Sequence, residues 1–187
     1  NAGELFIYSS VQSAAYNGYG ILRVDPVTGA SSVFAPTSGN YSAQGLAMAF
    51  DPYRQRLVFS AAIGSTSNHV WFADGSGNLQ NITAANYPVG LYLDNFAPTG
   101  DGRLYCHHDG GSTPTPLLWF DAANQLRVLY DSDGVTPMKI DGGYYAYNGM
   151  IHDAATNSLF VASTQPAPGF PEWAVNVRKL PLSADGT

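Results

Sequence analysis

The 187-residue chain has very few of the charged residues that favour long surface helices: two Glu (Glu4 and Glu172) and two Lys (Lys139 and Lys179). Charged residues make up only 12% of it, while Gly, Ser, Thr, Asn, Tyr and Val are plentiful, a balance that favours short strands joined by tight turns. There is a single cysteine, Cys106, which excludes an internal disulfide framework and any zinc ligand set made of cysteines. No apolar run approaches the roughly 20 residues that span a bilayer, and no basic amphipathic stretch suits a membrane surface. The eight Lys and Arg residues form no stripe that could follow a phosphate backbone, and the net charge of −6 opposes one. Neither nucleic acid nor membrane is therefore an expected partner.

Familiar catalytic signatures are missing as well. The chain contains no Gly-x-Ser-x-Gly elbow, no phosphate-binding loop and no His-Glu-x-x-His pair, and Gly18-Tyr19-Gly20 runs into Ile21-Leu22-Arg23 rather than completing a dinucleotide fingerprint. Asp131-Ser132-Asp133-Gly134 opens like a calcium loop but lacks the later carboxylates at alternate positions, which makes it a surface turn.

What the chain does contain is a repeat. An Asp-rich turn leading into an apolar strand appears at Phe50 to Ser60, at Pro98 to Cys106 and at His152 to Ser163, and its strand half opens the chain as Leu5-Phe6-Ile7-Tyr8. The anchoring leucines stand at 5, 57, 104 and 159, in steps of 52, 47 and 55 residues, a period that suits propeller blades with variable loops. Glycine-led stretches precede three anchors, at Gly45 to Phe50, Gly90 to Leu93 and Gly149 to Ile151, and read as innermost strands. Third strands ending in Asp, Gly or Asn turns follow at Ile21 to Gly29, Val70 to Gly75, Leu118 to Asn124 and Leu180 to Gly186. Outer strands follow at Ser32 to Phe34, Leu79 to Ile82 and Leu126 to Tyr130.

In its Asp-rich turns and Leu-Tyr/Phe-Val strands the sequence resembles the NHL-like and YVTN-like propeller repeats across nearly its whole length. The expected fold is all-β, a β-propeller of about four blades forming one domain over residues 1–187, with repeats near 1–40, 41–86, 87–143 and 144–187. Blades of three, four, four and three strands leave the ring incomplete. Either a short ring closes on partial blades or the chain is an arc of a larger ring, completed by further sequence or by a second copy. An ordinary β-sandwich is the alternative.

The resemblance implies that loops after the second and fourth strands share one end of the ring. That end would carry His69, His107 and His108, a candidate divalent-metal set, although adjacent histidines on a strand point to opposite sides. No cofactor is otherwise expected. A more regular pattern places an aromatic beside an amide just before each inner strand, in Asn40-Tyr41, Asn86-Tyr87 and Tyr145 to Asn148. Aromatic faces pack on the C–H side of a pyranose while amides read its hydroxyls, so these residues, with Trp173, are the candidate ligand-binding set; packing between blades is the alternative role. Trp71 and Trp119 read as core.

No catalytic residue is assigned. The leading expectation is a secreted recognition protein for glycans or glycoproteins, with a metal-assisted hydrolase of the lactonase kind and a protein-binding propeller fragment as alternatives. Secretion is expected from the start at Asn1 without Met, the rarity of Lys, and the sequons Asn40-Tyr41-Ser42 and Asn81-Ile82-Thr83.

Overall fold

A computed structural model describes residues 4–12, 17–37, 47–61, 69–82, 93–108, 115–140, 149–166 and 173–183. Strands β1 (Leu5–Gln12), β2 (Asn17–Val24) and β3 (Ser31–Thr37) form the first sheet. The second holds β4 (Met48–Asp51), β5 (Arg56–Ala61), β6 (His69–Ala73) and β7 (Leu79–Asn81). The third holds β8 (Leu93–Pro98), β9 (Leu104–His108), β10 (Thr115–Phe120) and β11 (Leu126–Val128), with a two-residue β12 (Lys139–Ile140) paired to the start of β10. The fourth holds β13 (Gly149–Asp153), β14 (Ser158–Pro166) and β15 (Trp173–Pro181). Each sheet is an antiparallel meander, and no helix occurs among the described residues.

The anchoring leucines fix the register. Leu5 pairs with Val24, Leu57 with Ala73, Leu104 with Phe120 and Leu159 with Leu180, so all four occupy the same place in their sheets. Because strand side chains alternate between faces, the leucine of each inner sheet points back to the preceding sheet and the next residue points forward. Leu57 packs with Ile21 and Ala35 of the first sheet, whereas Val58 packs with Phe96 and Leu104 of the third. Leu104 and Cys106 face the second sheet, whereas Tyr105 joins Leu159 and Val161 of the fourth. Three apolar clusters thus join the sheets in chain order, and the inner strands read as continuous apolar runs because both faces are covered. Removing each large side chain from water contributes roughly 1.5–3 kcal/mol.

This serial stacking of four sheets is the all-β propeller expected from the repeat, built as an arc, and not the two-layer sandwich. The first strands lie side by side, β8 next to both β4 and β13. The sheets are also tied at the hairpin end. Arg23 Nη2 donates to the Gly75 carbonyl at 3.1 Å, and a Cβ on Gly77 (φ +83°) would sit 1.9 Å from the Phe34 carbonyl oxygen. Only glycine fits that junction of the first two sheets.

Several elements differ from their sequence reading. Of the glycine-led stretch Gly90 to Leu93, residues 90–92 lie outside the described residues; β8 runs on from Leu93 to Pro98 and bulges between Asp94 and Phe96 with Asn95 at φ 55°. The third strand of the fourth sheet is Trp173–Pro181, earlier than Leu180 to Gly186, because it pairs with β14 as far as Pro166. Trp71 and Trp119 pack against the core as expected, Trp71 toward the first sheet and Trp119 toward the fourth.

Candidate functional site

The β4–β5 turn begins at Asp51, a fully buried carboxylate that accepts the Tyr53 and Arg54 backbone N–H groups at 2.9 and 3.1 Å. Arg54 returns to the same carboxylate through Nη1 at 2.7 Å and donates from Nη2 to the Asp121 carbonyl of the third sheet at 3.1 Å. Arg54 is therefore neutralised and fixed, with its guanidinium over the Phe72 and Tyr53 rings at 5.3 and 5.5 Å. Proline at position 52 and Gln55 at φ 53° complete the turn.

Across the junction the β10–β11 turn is built the same way. The Asp121 carboxylate accepts the Ala123 and Gln125 N–H groups at 2.9 and 2.8 Å and Arg127 Nη2 at 3.1 Å. Its partial burial opposes ionisation, but the Gln125 N–H, the Arg127 guanidinium and the Ala123 N–H outweigh it and hold the carboxyl below its ordinary value. Asn124 takes the left-handed position at φ 60°.

Between the two turns lies an open groove of about 350 Å³ lined by Tyr53, Arg54, Arg56, Phe72, Gln80 and Asn124. Tyr53 is half exposed, and its ring lies where a Cβ on Gly102 (φ +93°) would come within 2.8 Å, so glycine at 102 makes room for the aromatic. Arg56 donates from Nη1 to Gln80 Oε1 at 2.5 Å. The Asn124 Oδ1 is buried with no hydrogen-bond partner among the described residues. An exposed ring, a guanidinium and two amide side chains thus line one concavity.

Of the earlier candidates, His107 alone has a described side chain, and it is not part of the groove lining. His107 is buried, and its Nε2 lies 2.9 Å from Thr115 Oγ1, so it is engaged inside the third sheet. His69 begins β6 and His108 ends β9, but their side chains lie outside the described residues. Among the described residues no group of three or more His, Cys, Asp or Glu is placed to hold a metal ion. Asn40, Tyr41, Asn86, Tyr87, Tyr145 and Asn148 fall outside the described residues, and so does the Trp173 side chain, although its backbone starts β15. Asp131 and Asp133 are exposed and serve their own turn: Asp131 accepts the Ser132 N–H at 2.7 Å, and Asp133 accepts the Val135 and Thr136 N–H groups at 2.8 Å and the Thr136 hydroxyl at 2.6 Å.

In the sequence Tyr53, Arg54 and Arg56 stand out only as part of the repeated turn, which hides the groove. The signal present was a tyrosine and two of the chain's eight basic residues within four positions.

No protein-family model and no curated protein matches the sequence. Solved structures do match in fold. The extracellular domain of BT4673 from B. thetaiotaomicron, described in one structure as belonging to a one-component system and in another to a hybrid two-component system, is 13% and 14% identical, with TM-scores of 0.53 and 0.52. These matches cover 94% and 93% of this chain and 20% of theirs. TolB from Acinetobacter baumannii is 15% identical with a TM-score of 0.54, over 98% of this chain and 42% of its own. Both are propeller-type folds. The chain spans a fifth of the BT4673 domain and less than half of TolB, and at these identities the likeness establishes the fold alone.

Proposed function

We propose that this propeller arc is an exported recognition domain that binds carbohydrate, favouring sugars that carry a carboxylate. The carrying observation is the groove between the second and third sheets, where Tyr53 offers an aromatic face and Gln80, Asn124 and Arg56 offer the polar groups around it. A ring of this kind suits the C–H face of a pyranose. The amides suit its hydroxyls, and the Arg56 guanidinium suits a uronate carboxylate through a charge-assisted hydrogen bond. Likeness to the extracellular domain of BT4673 supports an exported location. The aromatic and amide pairs at Asn40-Tyr41, Asn86-Tyr87 and Tyr145 to Asn148 enter as further contacts, whose repetition would raise avidity.

The test is a glycan-array screen of the chain, run with and without a chelator, followed by titration of the best sugar. Binding to a related set of uronate-bearing glycans is expected. Tyr53→Ala and Arg56→Gln should each weaken it about tenfold, equivalent to about 1.4 kcal/mol, with the fold retained. Undiminished binding by both variants would remove the groove from the reading, and undiminished binding after Tyr41, Tyr87 and Tyr145 are replaced together would remove the second set. No binding to any glycan at high protein concentration would overturn the carbohydrate proposal, whereas loss in chelator would add a metal to it.

A further inference from the structure

The exposed guanidinium of the groove is bonded differently from its neighbours at the hairpin ends. Arg54, Arg103 and Arg127 each hold an aspartate as an ion pair, Asp51, Asp101 and Asp121 in turn. Arg56 holds a neutral amide instead. Its Nη1 donates to Gln80 Oε1 at 2.5 Å, and among the described residues no carboxylate lies within ion-pair distance of it. The Asp74 carboxyl is held below its ordinary value by its hydrogen bonds to Asn78 and Ser76, with the Arg56 charge as the smallest contribution.

The bond between Arg56 and Gln80 spans the second sheet. Arg56 stands on β5 and Gln80 on β7, with β6 between them. The crossing comes at Phe72, the cross-strand partner of Gln80, which lines the groove and yet is only 1% exposed. Both ends of the bond are exposed residues, so no packing has to be undone to open it. A neutral hydroxyl entering the groove offers Arg56 nothing that the Gln80 carbonyl does not already supply. A carboxylate does, because it brings a full charge and two oxygens that match the guanidinium fork.

We infer that Gln80 is a strap across the groove, which competes with the ligand for Arg56 and yields only to an anionic group. The strap rests on the uronate reading above and changes the part of Gln80 in it. In the empty groove the amide is the partner of Arg56, so removing it should help an acidic sugar to bind. A residue that only contacted the sugar would show the opposite sign.

Two variants at this exposed position test the strap, each checked for an unchanged far-ultraviolet spectrum and titrated with glucuronate and galacturonate. Gln80→Ala leaves Arg56 no amide to release, and uronate affinity should rise about threefold to tenfold, the worth of one net hydrogen bond. Gln80→Glu fastens the strap with an ion pair and repels the ligand, and affinity should fall about tenfold. A sugar-free arm adds acetate or acetamide to the wild-type chain and follows the Arg56 Nε–H and Gln80 side-chain amide signals by NMR. Acetate should move both signals together, and acetamide neither. Unchanged or weaker uronate binding by Gln80→Ala, or undiminished binding by Gln80→Glu, would overturn the strap and leave the carbohydrate reading in place. Acetate that leaves either signal unmoved, or acetamide that moves both, would overturn it too. Should acetate open the strap while no uronate binds to any variant, the strap stands and the sugar reading fails.

Discussion

At the scale of single residues, the hairpin ends depend on carboxylates that organise the backbone. Asp25, Asp74, Asp121 and Asp153 each accept an N–H two residues on, and Asp51 does the same while also holding Arg54. The Asp-rich turn was legible in the sequence because Asp, Gly and Asn have few other uses between apolar strands. The arginine contacts were not, since Arg54 meets Asp121 across 67 positions and no local pattern reports it. Asp51→Asn keeps the turn acceptor but leaves the Arg54 guanidinium, mostly buried, without its counter-charge. We expect a loss of about 3–5 kcal/mol in urea unfolding, the range for a broken buried pair. A loss below about 1 kcal/mol, the ordinary range for an exposed pair, would show that the site is wetter than described.

At the scale of strands and sheets, a single repeated leucine carried most of the reading. Its spacing gave the four sheets, because a leucine pinned in register fixes which face each neighbour takes. The errors came where backbone irregularity outweighs side-chain pattern. Asn95 in a left-handed conformation lets β8 run past its expected end to Pro98, and the two-residue β12 has too few side chains to show a period. Trp71 and Trp119 both pack into the core as expected, but against different neighbours, because one residue of offset sends a strand side chain to the other face. The same logic separates two substitutions of one residue type. Leu104→Ala, in a packed interface, should cost about 2–5 kcal/mol. Leu5→Ala, at a side chain 48% exposed, should cost well under half as much. Equal losses in thermal unfolding would mean that something in the same chain covers Leu5.

At the scale of the whole molecule, the sequence conveyed the incomplete ring through its strand count but could not say which surfaces that leaves open. The groove also emerges only here, since Tyr53 and Arg56 come from the second sheet and Asn124 from the third, and their meeting depends on how those sheets stack. An arc with two open ends makes a definite statement about protection of its backbone amides. β5 and β9 are covered on both faces, whereas β1 and β14 are each covered on one. The most direct test is amide hydrogen exchange followed strand by strand in the dilute, monomeric chain. The account predicts that amides of β1 and β14 exchange measurably faster than those of β5 and β9. Equal protection in all four strands would contradict it, because the outer faces of the first and fourth sheets would then have to be covered as well.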